Sequence, residues 1–465
     1  MSQFSAPTSA TGRTSRSQWI PSLLVLLIAL IARLLYVHLF AVGMPFWDQW
    51  DAEGDLLLKP WLNGSYHWLE LLAAHNEHRI LPTKLMTLGS YIFTGQWNNI
   101  YEARASAVVY ALIPAILVWH GMRIGSEWYA KAVLITVALC AAVLPYAWEN
   151  FLVGFQSQFY FLILFGLAAT ALAATMHENI IAISGVLALS ILSALTMASG
   201  MLTPAVAAGT YVIAASVLPG RRWPSLIASM ILLAIAAFSY LKMPIIAEHH
   251  MRHAQSLTEF LNAAGHVFSW PVRGLRWPAL VLWAPGAVGA AWILYRRRAT
   301  TVDITMIGWL AWTATQGLAI AYGRGHDLDN LSPRYTELLI PGLFANTWFA
   351  ISLFKLKGSS IIARRTLRVA AFIFGVVLFG GWAERSRIDW EAMRGRYEAN
   401  KVQSANVLRY VVRGDEDALN VGDFQLPYPN APRLKLLLND PYLLQALSGS
   451  QGPRNPGTFS PAKSP

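Results

Sequence analysis

The sequence predicts an all-α, polytopic membrane protein with about eleven transmembrane helices, and three observations carry that prediction. Apolar runs of roughly 20 residues recur along the chain, the length a helix needs to cross a bilayer core. Of the 465 residues, 55% are hydrophobic and only 13% charged, about half the charge of an ordinary soluble domain, and mean hydropathy is +0.41. The formal net charge of +11 collects in short clusters between apolar runs: Arg13/Arg16, Arg221/Arg222, Arg296–Arg298, Lys355/Lys357 and Arg364/Arg365/Arg368. Such clusters mark cytoplasmic loops, so the basic balance reads as topology and not as a nucleic-acid surface. A single cysteine, Cys140, excludes an intramolecular disulfide framework and a Cys-based metal site.

Residues 1–17 are Ser/Thr-rich and read as a disordered cytoplasmic tail. The transmembrane domain is expected over 18–383. Its first span, Ile20–Val42, is too long for a signal peptide and lacks a small-residue cleavage site. Phe46 onward then lies on the far side. Further spans are expected near 103–122, 128–147, 156–176, 180–198, 203–218, 225–243, 277–295, 302–322, 335–354 and 369–383. With the N-terminus inside, this count places every basic cluster on the cytoplasmic side. Leu81–Gly95 is apolar but short and carries Lys84. A span there would put Arg296–Arg298 outside, so an interfacial or re-entrant helix is expected. The outer segments are then 44–102, 244–276, 323–333 and an aqueous C-terminal region over 384–465, disordered from about residue 449.

Chemistry-bearing residues concentrate in Phe46–Ile80. Asp48, Asp51, Glu53 and Asp55 are four of the chain's 25 acidic residues within eight positions. Asp48 and Asp51, spaced i, i+3, would share a helical face or a turn, with Trp47 and Trp50 as interfacial anchors. A partly desolvated carboxylate there suits a general base; the same residues equally suit a solvated helix start. His75, Glu77, His78 and Arg79 follow in HNEHR. With Asp48, His75 and Glu77 are candidate ligands for a divalent cation such as Mg or Mn, and Arg79 for a phosphate. The alternative is a polar rim on an amphipathic helix.

Two later outer loops are basic. Residues 322–335 carry Arg324, His326, Asp327, Asp329, Arg334 and Tyr335, where arginine forks match phosphate oxygens unless they pair with the two aspartates. Segment 244–276 holds His249, His250, Arg252 and His253, readable as a basic flap. Arg33, within the first span, needs an internal partner, for which Glu102 is the candidate. Glu149, Asn150, Gln156 and Gln158 line another outer turn and could hydrogen-bond a sugar.

An acidic residue directly after the first span, a long first outer loop with amphipathic helices and some eleven spans resemble the GT-C superfamily of polyprenyl-phosphate-sugar-dependent glycosyltransferases, which includes protein O-mannosyltransferases and aminoarabinose transferases. The resemblance covers the whole chain in topology and Trp47–Arg79 in motif. The mannosyltransferases carry an adjacent Asp-Glu pair where this chain has Asp48-Gln49. The resemblance implies a bacterial inner-membrane enzyme with an extracytoplasmic active site. It would move a sugar from a polyprenyl-phosphate donor to a surface glycan, lipid or protein acceptor, with Asp48 as base and Asp51 as second choice. Arg79, Arg324 and Arg334 would hold phosphate, and His75, Glu77, His78, His326 and Tyr335 would complete the substrate site. Two alternatives remain: an O-antigen polymerase or ligase-like enzyme working through the basic late loops, and a transporter or flippase of lipid-linked sugars.

Overall fold

A computed structural model describes residues 16–125, 127–326, 328–354 and 361–449. The Arg13 and Lys355/Lys357 topology markers, Asp327, most of the expected N-terminal tail and the stretch after 449 lie outside the described residues. Regular structure among the described residues is helical, apart from one antiparallel bridge between His75 and His78.

Among the described residues, ten helical segments are long and apolar enough to cross a membrane: Gln18–Phe40, Asn99–Gly121, Trp128–Phe151, Gly154–Thr175, Ala198–Val217, Arg222–Leu241, Pro278–Arg296, Thr301–Gly323, Pro333–Phe354 and Ile361–Arg413. The chain is therefore a multi-pass membrane protein. The eleventh expected span, near 180–198, is the shorter apolar helix Ile180–Ala194. Helices approach closely where side chains are small, as in membrane bundles generally. A Cβ on Gly166 would sit 2.4 Å from the Trp312 ring.

Contacts sort the connections between helices to two ends of the bundle. Ile80 and Leu81 donate backbone hydrogen bonds to Thr196 and Leu195 (2.8 and 2.9 Å), and Arg79 reaches the Lys242 carbonyl. Asn150 reaches the Arg334 carbonyl at the same end. At the other end, the Ser225 hydroxyl donates to the His177 carbonyl. The first loop thus gathers with the turns near 150, 196, 242 and 334. That arrangement requires Ile180–Ala194 to run from one end of the bundle to the other, short as it is.

Leu81–Thr94 is one 14-residue helix. Lys84 on it is buried and donates to the carbonyls of Glu70, Leu71 and Ala73, so it ties down the preceding loop.

The last span departs from expectation. It does not stop at 383 but continues as a single 53-residue helix, Ile361–Arg413. At 1.5 Å per residue this is about 80 Å, far more than the ~30 Å hydrocarbon core. No proline interrupts it, and Arg385–Asp389 (2.6 Å) and Arg387–Glu391 (3.6 Å) pair along it at i, i+4. Gly414, at φ +66°, ends it with a bond to the Tyr410 carbonyl. Beyond it, Leu426, Leu434, Leu437, Leu438 and Leu443 pack against Trp50, Leu57, Leu58 and Trp97 of the first loop. The C-terminal region and the first loop therefore share one apolar core, separate from the core of the helical bundle.

Candidate functional site

The acidic knot separates into three environments. Trp50–Leu58 forms a π-helix, a rare geometry frequent at functional sites. Asp51 and Asp55 turn towards the C-terminal region. Arg433 donates to Asp51 (3.1 Å) and Asp55 (2.7 Å), and the Tyr428 hydroxyl donates to Asp51 (2.6 Å). Burial raises the Asp55 carboxyl, but Arg433 and Lys59 outweigh it and leave the group below its ordinary range. Both oxygens of Asp51, the second-choice base, thus contact side chains of the C-terminal region.

Glu53 turns inward and is fully buried. It hydrogen-bonds to Glu102, and both carboxyls accept from Gln49 Nε2 (2.9 and 3.4 Å) and Thr87 Oγ1 (3.2 and 3.3 Å). Trp97 Nε1 adds a third donor to Glu53 at 3.1 Å. Two carboxyls in contact cannot both ionise, so the pair holds a proton between them. Burial pushes Glu53 above its ordinary value. This also gives Gln49 a role: an amide supplies donors to two acids, which a glutamate could not. Gln49 Oε1 accepts from the Phe46 backbone (3.0 Å), so the buried network fixes the turn that carries Asp48. The turn is strained at Trp47, a non-glycine residue at φ +50°.

Asp48 alone among the four acids is exposed with no hydrogen bond or ion pair to a described residue. Its charge acts on His75 and Arg334.

HNEHR forms a tight turn and not a helix. His75 and His78 exchange backbone bonds of 2.7 and 3.0 Å, with Asn76 at φ +52° and Ile80 at φ +46°. A left-handed β-branched residue is a real outlier, so this segment is held against its preference. His78 Nδ1 accepts from the Ala198 amide (3.1 Å), which leaves the proton on Nε2. Burial pushes His78 down to about 4, so it is neutral. Burial also lowers His75, whose buried Nε2 has no partner. Glu77 pairs with His249 and so joins the first loop to segment 244–276.

From the opposite side, Arg324 and Arg334 converge on Tyr335. Arg324 Nε donates to the Tyr335 hydroxyl (3.2 Å), and the Arg334 guanidinium lies 5.3 Å from the Tyr335 ring centre. Among the described residues neither arginine has an ion-pair partner, so the expected alternative of pairing with Asp329 does not occur. Arg324 also acts electrostatically on His78. The structure therefore brings together Asp48, His75, His78, Arg324, Arg334 and Tyr335.

Other expected members fall elsewhere. Arg79 donates to the Leu72 and Lys242 carbonyls (2.7 and 3.0 Å) and braces two loops. His326 faces Glu259 at 3.4 Å. Arg33 pairs with Glu337 (2.7 Å) and not with Glu102; its guanidinium stacks over Tyr110 and Phe151 at 3.9 and 4.5 Å. Asn150 bonds Glu337 (2.8 Å) and the Arg334 carbonyl (2.9 Å) and so braces the Arg334 backbone. Among the described residues no three His, Cys, Asp or Glu side chains converge as a metal site, so Asp48, His75 and Glu77 do not form one.

No protein-family model, curated protein or solved structure matches the chain.

Proposed function

We propose that the chain is an integral membrane glycosyltransferase that moves a sugar from a polyprenyl-phosphate carrier to a cell-surface acceptor, with inversion at the anomeric carbon. The observation that carries this reading is the juxtaposition of a carboxylate, Asp48, with two guanidinium groups, Arg324 and Arg334, all three without an ion pair among the described residues. Guanidinium groups near a membrane surface ordinarily have anionic partners. A phosphate would supply the missing charge bidentately.

Asp48 takes the proton of the acceptor hydroxyl as its oxygen attacks the anomeric carbon. The bond from that carbon to the phosphate oxygen breaks, and its electron pair leaves with the lipid phosphate. Arg324 and Arg334 stabilise the charge gathering there, so no general acid is needed. Neutral His78 adds no competing positive charge, and its Nε2–H is free to orient substrate. The site then lies on the extracytoplasmic face of a bacterial inner membrane, with the basic clusters of the opposite end in the cytoplasm. Mass analysis of surface glycans from a deletion strain tests the reading. A missing sugar restored by the wild-type chain supports it, and unchanged glycans overturn it.

The two arginines also favour a second reading, an O-antigen polymerase or ligase-like enzyme working from the late loops. Transfer that survives Asp48→Asn and is lost in Arg324→Ala would select it.

A further inference from the structure

The loop that carries Arg324 and Arg334 has another face. Gly325, Leu328, Asp329 and Asn330 line one wall of an open groove of about 520 Å³, and the helix Leu257–Ser269 forms the other. That volume lies within the roughly 300–1,000 Å³ usual for small-molecule sites. Glu259, Asn262, His266, Arg276, Asp329 and Asn330 line it over a floor that includes Ala263 and Leu328.

We propose that this groove binds a neutral, polyhydroxylated ligand, the glycan end of the acceptor. The inference rests on the glycosyltransferase reading for the word acceptor, but the binding chemistry stands on the groove itself. Its polar groups are mixed in kind. Arg276 donates to Asn262 Oδ1, and Arg273 Nε donates to Asn330 Oδ1 at 3.2 Å. Both amides are therefore oriented with their NH₂ groups available as donors. Asp329 and Glu259 offer carboxylate acceptors beside them. Sugar hydroxyls both give and accept, which suits alternating amide and carboxylate groups.

Charge at the groove is close to balanced: Glu259 and Asp329 stand with Arg276, and Arg273 is held on Asn330, so neither sign dominates and a neutral ligand fits. A divalent cation needs converging ligands, and among the described residues no such group exists. Asp329 and Asn330 belong to the same loop as Arg324 and Arg334. His326 to Glu259 (3.4 Å) and the Ala254 amide to the Tyr322 carbonyl (2.9 Å) hold that loop against segment 252–259.

The test uses the full chain in lipid nanodiscs, because sugar-headed detergents would compete. Saturation-transfer NMR is run with glucose, galactose, mannose, N-acetylglucosamine and their common disaccharides, with inorganic phosphate and magnesium chloride as separate arms. At least one sugar is expected to bind. Asp329→Ala and Asn330→Ala, both at exposed positions, should each weaken it about tenfold or more, the loss of one charge-assisted or amide hydrogen bond. No binding by any sugar, binding equal to wild type in both groove variants, or competition by phosphate would overturn the proposal. Sugar binding with these sensitivities, in a chain that catalyses no transfer, would retain the groove and refute only the enzymatic reading.

Discussion

Breaking the Arg33–Glu337 pair should cost several kcal/mol, and the structure says why. The two side chains are 0% and 1% exposed, and their contact is 2.7 Å. Glu337→Gln keeps the shape and the hydrogen bonds from Asn150 but leaves the Arg33 guanidinium buried without its counter-charge. Removing one partner of a buried pair typically costs about 3–5 kcal/mol, whereas replacing both with apolar residues of similar volume is often neutral. The double variant Arg33→Met/Glu337→Leu should therefore recover most of the stability that either Glu337→Gln or Arg33→Met loses alone. Thermal unfolding in nanodiscs, followed by tryptophan fluorescence, measures this as a double-mutant cycle. Additive losses, or a Glu337→Gln variant as stable as wild type, would refute the reasoning. The pair also bears on the site, because Asn150 bonds both Glu337 and the Arg334 carbonyl.

Three other outcomes follow from the same coordinates. Gly54→Ala places a Cβ 2.7 Å from the Trp97 ring, and overpacking of about 1–3 kcal/mol should exceed the helix propensity gained, so the melting temperature falls; a rise would contradict the packing. Glu53 has a raised folded-state pKa, so its contribution is full below the ordinary 4.5 and is lost as pH rises through the folded value. Glu53→Gln should flatten the decline of the melting temperature as pH rises above 4.5, and an unchanged decline would argue against a shared proton. His78 is lowered to about 4, so the stability it contributes is full above 6.5 and is lost as pH falls towards about 4. His78→Gln should flatten that acid limb, and an undiminished limb would place the cause elsewhere.

Much of the architecture was legible because a bilayer imposes length and composition on each span. The expected spans agree with the helices to within a few residues except the last. There the sequence became polar at 384 while remaining helical, since apolar character ends where lipid ends and helix ends only at Gly414. Counting spans, Ile180–Ala194 included, puts Asp48 and Arg334 at the same end of the bundle, where Asp48 acts on Arg334. The division of labour within the knot was not legible. Asp51 and Asp55 find Arg433, 382 and 378 positions away, and Glu53 finds Glu102 on the next span. Pairings of that separation leave no periodic signal in one chain. Arg33 showed that it needed a partner but not which one. Gln49, at the position after Asp48, looked like a departure from a family pattern and is better explained by the two acids it serves.

The central claim is that Asp48 is the base and Asp51 is structural. The most direct measurement is sugar transfer from a polyprenyl-phosphate donor by purified Asp48→Asn and Asp51→Asn, each with its melting temperature. The account predicts that Asp48→Asn loses about 10²–10⁴-fold in rate at unchanged stability, the usual contribution of a general base. Asp51→Asn should melt earlier, through its weakened contacts with Arg433 and Tyr428, and retain transfer. Full activity in Asp48→Asn, or loss confined to Asp51→Asn at unchanged stability, would contradict it.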